Sequence, residues 1–97
     1  MNTITRILVI DDDPSLRKTL GEILSIHQYE VEEASNGAQA IKAVENSDIS
    51  IALIDLKLKD LTGLDVLKRI KEISPNTECL ITTGHASTDT AIEAVNL

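Results

Sequence analysis

The stretch Ile7-Leu8-Val9-Ile10-Asp11-Asp12-Asp13-Pro14 decides how the rest of the chain reads. An aliphatic run over Arg6–Ile10 without polar alternation is the pattern of a strand covered on both faces. It stops at three aspartates. Asp13 followed by Pro14 reads as a helix N-cap with proline in the first turn, so a buried strand passes directly into a helix. That helix carries Leu16, Leu20, Ile23 and Leu24 at helical spacing.

The same unit then recurs. Residues 29–34 alternate, with Tyr29 and Val31 on one face and Glu30 and Glu32 on the other, which predicts a half-exposed edge strand. Asn36-Gly37 opens a second helix with a stripe of Ala40, Ile41 and Val44. Residues 49–54 form another aliphatic strand, ending at Asp55. A polar loop runs to Thr62-Gly63, and a third helix carries Leu64, Leu67, Ile70 and Ile73 until Ser74-Pro75-Asn76 stops it. Glu78–Thr82 reads as a fourth strand, and Ser87 or Thr88 begins a fourth helix. Alternation of this kind predicts an α/β fold: a doubly wound parallel sheet joined by right-handed helical crossovers.

With 97 residues the chain suffices for one small domain, residues 1–97. It contains one tyrosine and neither phenylalanine nor tryptophan, so the core has to be packed from Ile, Leu, Val and Ala. Its formal charge of −7 would repel the phosphates of nucleic acid and of anionic lipid, and no basic cluster offsets it. Neither nucleic acid nor membrane is therefore expected as a partner of this segment. Cys79, alone of its kind, cannot form an internal disulfide and reads as a small core residue. No stretch has signal-peptide or transmembrane character, and a cytoplasmic location is expected.

In open parallel sheets functional groups gather beyond the carboxyl ends of the strands. Here those ends carry Asp11-Asp12-Asp13, Asp55 and Thr82-Thr83. Two carboxylates about 5 Å apart repel by roughly 3 kcal/mol at an effective dielectric of 20, so converging acids call for protonation or a cation. Hard oxygen donors with room for water suit Mg²⁺. A carboxylate beside such an ion is a plausible nucleophile toward phosphorus. Asp13 reads as a helix cap rather than a ligand, and His27 and His85 read as solvated.

The runs Ile7-Leu-Val-Ile-Asp-Asp-Asp-Pro14, Ala52-Leu-Ile-Asp55 with Leu61-Thr-Gly-Leu-Asp-Val-Leu67, and Leu80-Ile-Thr-Thr-Gly-His85 together resemble the receiver domains of two-component response regulators. The resemblance implies a flavodoxin-like sheet of order 2-1-3-4, with a fifth strand and helix beyond it. It implies that Asp11 and Asp12, with Asp55 and the backbone carbonyl of Lys57, hold Mg²⁺. It further implies that Asp55 accepts a phosphoryl group from a histidine kinase or phosphotransfer protein, and that Thr83 hydrogen-bonds the phosphoryl and acts as the switch. Lys59 stands where many relatives carry proline, which predicts a less rigid loop after Asp55.

The family pattern continues past a fourth helix into a strand, a Lys-Pro pair and a fifth helix, whereas this sequence stops within or just after helix four. The fourth strand and fourth helix are then expected to form an apolar edge that pairs with a second copy as a homodimer. The expected chemistry is not that of an enzyme beyond Mg-dependent self-phosphorylation and dephosphorylation of Asp55. Three other readings compete. A phosphatase with an aspartyl nucleophile would need an acid where Lys57 stands. A flavin-phosphate binder would be repelled by Asp11-Asp12-Asp13. A phosphorylation-independent interaction module would keep the acidic pocket as scaffold.

Overall fold

The computed structural model describes residues 4–82. The expected fourth helix, Thr83 and His85 lie outside the described residues. Four strands form one parallel sheet: β1 (Arg6–Ile10), β2 (Glu30–Ala34), β3 (Ile51–Asp55) and β4 (Glu78–Thr82), in the order β2-β1-β3-β4. Between them run α1 (Pro14–Ile26), α2 (Gly37–Asn46) and α3 (Gly63–Ile73). The parallel doubly wound sheet is the one expected from the alternation of elements, and its order is the one the resemblance implies.

Strand position follows sequence. Ile7 to Ile10 are all buried, because β1 is central and covered on both faces. The acid-rich β2 is an outer strand, where Arg6 pairs with Glu30 at 2.6 Å. β4 is the other outer strand among the described residues.

One face of the sheet presents Leu8, Ile10, Ala52, Ile54, Cys79 and Ile81 to α2 and α3, which contribute Ala40, Val44, Val66, Leu67 and Ile70. Burying each large aliphatic side chain stabilises the fold by roughly 1.5–3 kcal/mol before chain entropy is subtracted. Cys79 is part of this packing, and burial raises its thiol pKa, as fits a core residue. α1 lies over the opposite face, with Gly21 against the Val31 and Glu33 side chains.

Two of the predicted helical stripes are displaced. Ile23 is 48 % exposed and Leu64 is 47 % exposed. In α1 the buried residue is Gly21, and Ile23 lies about 200° around the helix from it. In α3 the inward face centres on Gly63, Val66, Leu67 and Ile70, which leaves Leu64 roughly 110° off. Hydrophobicity marks the larger side chains, whereas the inward faces also include Gly21 and Gly63.

Both ends of the helices are satisfied as their sequences suggest. Asp13 accepts from the Ser15 and Leu16 N–H groups, Asn36 from Gln39 N–H, and Thr62 from Asp65 N–H. After α3, the wholly buried Thr77 donates its hydroxyl to the Ile49 carbonyl at 2.7 Å. The Lys71 ammonium donates to the Thr77 and Pro75 carbonyls. The neutral Thr77 bond contributes about 1 kcal/mol, and with the charged Lys71 bonds it anchors the turn that feeds β4.

Candidate metal and phosphoryl-acceptor site

β1 and β3 are parallel neighbours in a register that sets Ile10 beside Ile54. The next residues, Asp11 and Asp55, are therefore adjacent at the carboxyl end of the sheet. Asp11 continues the strand geometry, since its N–H donates to the Ala34 carbonyl at 3.1 Å. Asp12 follows in the turn into α1. The fold brings one carboxylate oxygen from each of Asp11, Asp12 and Asp55 within 4.8 Å of the others. Asp11 and Asp55 are buried, and Asp12 is half-buried. Asp13 is turned to its helix and stands apart, as its capping role requires.

Local bonds orient these acids. One Asp11 oxygen accepts from Asp13 N–H at 2.9 Å, and one Asp55 oxygen accepts from Lys57 N–H at 3.3 Å. The Arg17 guanidinium donates to the Asp11 carbonyl at 2.7 Å and to Glu33 at 3.0 Å, tying the acidic turn to β2.

The loop from 56 to 62 is closed at its base by Gly63 N–H donating to the Leu56 carbonyl, and by a bridge between Lys57 and Thr62. At its tip Asp60 accepts from both Gly37 N–H and Ala38 N–H. So a loop that lacks proline at Lys59 is nonetheless tied down at both ends. Thr83 lies outside the described residues; the preceding Thr82 pairs with Asp55, and its hydroxyl donates to the Ile54 carbonyl at 3.4 Å.

Burial is the main reason the Asp11 carboxyl titrates above the ordinary carboxylate range, and the charges of Asp55, Asp12 and Asp13 push it further. The Asp13 N–H works against that rise. Asp60 is the opposite case, held below the ordinary range first by Gly37 N–H.

The two have opposite consequences for the metal-free fold. Protonated Asp11 favours folding, a contribution complete below the ordinary carboxylate range and lost as pH rises through the raised value. Ionised Asp60 favours folding, a contribution present above the ordinary range and lost as pH falls through the depressed value.

Unit charges 4.8 Å apart repel by about 3.5 kcal/mol at an effective dielectric of 20. Asp12 is partly solvated, which screens its share. Asp12→Asn is therefore expected to raise metal-free stability by about 1 kcal/mol, measured by urea unfolding at neutral pH. A decrease would mean that the acids are not in mutual repulsion.

Three hard oxygen donors on two buried residues and one half-buried residue match what a small divalent cation requires. Among the described residues neither histidine nor cysteine belongs to the cluster, and a set of carboxylate oxygens does not favour softer metals. The residues fit a magnesium-like ion.

A parallel sheet of this order, with an acid cluster at its carboxyl end, defines a receiver-type domain. The profile of the family "Response regulator receiver domain" matches residues 7–97, and the chain belongs to that family. Among its relatives is sporulation initiation phosphotransferase F of Bacillus subtilis, 32% identical over 92 residues, which are 95% of this chain and 74% of that protein. Transcriptional regulatory protein ZraR of Klebsiella oxytoca is 38% identical over 89 residues, which are 92% of this chain. The chain spans only 20% of the length of that regulator. Among solved structures, response regulator protein TrrA of Thermotoga maritima, in complex with Mg(2+)-BeF, matches with a TM-score of 0.79 and 28% identity. That match covers 91% of this chain and 78% of the other. No helix among the described residues is long and apolar enough to cross a membrane.

Proposed function

We propose that Asp55 is the phosphoryl acceptor of a two-component relay, served by Mg²⁺ held on Asp11, Asp12, Asp55 and the Lys57 carbonyl. The observation that carries this reading is the convergence of three carboxylates, two of them buried, at the end of adjacent parallel strands. The Mg(2+)-BeF complex of the Thermotoga relative supports the choice of cation. Bound there, the ion would neutralise the acids and the negative oxygens of an incoming phosphoryl group.

In this role an Asp55 carboxylate oxygen attacks phosphorus as the bond to the donor's leaving group breaks. The leaving group departs with the bonding pair and is protonated from its own surroundings. The chemistry ends with gain and loss of the phosphoryl group on Asp55, not with turnover of an outside substrate. The proposed partner is a histidine kinase or phosphotransfer protein in the cytoplasm. The outer edge of β4 is where a second copy of the chain would pair.

Incubation with acetyl phosphate and Mg²⁺ tests the reading. Intact-mass measurement is expected to show a gain of one phosphoryl group, suppressed by EDTA. A protein that binds Mg²⁺ yet never gains the mass would favour a phosphorylation-independent interaction module, with the acids retained as scaffold.

A further inference from the structure

The loop that carries Lys57 is held by two different parts of the molecule. Its base is local: Gly63 N–H bonds back to Leu56, and Lys57 bridges to Thr62. Its tip is fastened elsewhere. The two Asp60 oxygens accept from Gly37 N–H at 2.8 Å and from Ala38 N–H at 3.0 Å, the first two amides of α2. Those amides have no partner within their own helix, and they point along the positive end of its dipole. Asn36 caps only the third residue, Gln39. The neighbouring Leu61 lies against Gly37 so closely that a Cβ there would sit 2.7 Å from the leucine Cδ1. α2 packs in turn on α3, β1 and β2. The loop tip is thereby fastened to the body of the domain, independently of the bonds at its base.

We infer that Asp60 is a positioning residue of the site. Resting on the function proposed above, its role is to hold the 56–62 loop so that the Lys57 carbonyl is in place before a cation arrives. A carboxylate suits this task because one side chain accepts two adjacent amides as charge-assisted bonds. Without it the loop would keep its base and lose its tip. The cation would then have to order the loop on binding, which weakens its affinity.

The rival explanation is that Asp60 merely caps α2. Asn36 separates the two, since its side chain caps the same helix at Gln39 N–H and not through the loop. Mg²⁺ alone, titrated against the whole chain and followed by amide chemical shifts, is the readout. Asp60→Ala is expected to weaken Mg²⁺ binding by about tenfold, the lower end of what loss of an outer-shell partner costs a metal site. Asn36→Ala is expected to lower the melting temperature while leaving Mg²⁺ affinity unchanged. Equal changes in affinity for both variants, or none for Asp60→Ala, would overturn the inference.

If Asp60→Ala does not fold, Asp60→Asn is read in the same way, with a smaller loss because one acceptor oxygen survives. If the wild-type chain binds no Mg²⁺, the proposed function fails and the positioning role is still decided. Amide exchange at Lys57 and Leu58 should then be faster in the Asp60 variant than in Asn36→Ala, and equal rates would contradict it.

Discussion

Asp55→Asn is expected to abolish phosphoryl gain from acetyl phosphate, to below one part in a hundred of the wild-type yield, while leaving the fold intact. Asp55 is the last residue of β3, which has neighbours on both sides: Ile54 is in register with Ile10 of β1 and Ile81 of β4, and Asp55 with Thr82. A phosphoryl group arriving there would be flanked by the acids of β1 on one side and by the end of β4 on the other. Asparagine keeps the size of the side chain and one acceptor oxygen for Lys57 N–H, but has no ionised oxygen to attack phosphorus. Removing one charge from the cluster should also raise metal-free stability, as for Asp12. Intact-mass measurement on a variant that unfolds at higher urea than wild type thus gives a loss that misfolding cannot explain. Persistent gain of mass would assign the acceptor to another acid.

Gly63→Ala is expected to be the most damaging small substitution in the described chain. A Cβ at Gly63 would meet the Asp55 carbonyl oxygen at 2.6 Å, the Leu56 Cα at 2.9 Å and the Asp55 carbonyl carbon at 3.2 Å. All three are main-chain atoms of the segment that carries the acceptor. No rotamer can relieve the clash, and any shift has to move α3 or the end of β3. A loss of about 2–3 kcal/mol is expected, at or beyond the upper part of the range for overpacked sites. For a chain this small that is a large part of the total stability.

Gly21→Ala supplies the contrast. There the added methyl would meet the Glu33 and Val31 side chains at an ordinary 3.6 Å, inside a helix where alanine is favoured. It should stabilise by up to about 1 kcal/mol. Chemical denaturation of the two variants checks the pair, and similar effects at both glycines would contradict the geometry of the β3–α3 junction.

Much of this was legible in the chain itself. The buried aliphatic runs ending in Asp11 and Asp55 predicted two parallel strands whose ends meet, because the sheet rule depends only on local pattern and chain connectivity. Asp13 was readable as a cap for the same reason, acting within three residues of itself, and the helix starts at Asn36-Gly37 and Thr62-Gly63 were readable too.

What escaped sequence reading acts across the fold. Asp60 reaches amides 22 and 23 residues earlier, and no local pattern distinguishes it from any other loop acid. The tie from Arg17 to the Asp11 carbonyl is equally invisible, since a basic residue in a first or second helical turn ordinarily faces water. The exposed Ile23 and Leu64 show the converse limit. Periodicity reports which side chains are greasy, while the inward faces of α1 and α3 include Gly21 and Gly63, which have no side chain to register.

The central claim is that Asp11, Asp12 and Asp55 form one cation site, and backbone-amide chemical shifts during a Mg²⁺ titration test it most directly. Saturable shifts that follow a single binding curve and concentrate at residues 11–13 and 55–57 are the predicted result. Weak, unsaturated shifts spread over the other acids of the surface, with Glu30, Glu32 and Asp48 responding as strongly as Asp55, would contradict it.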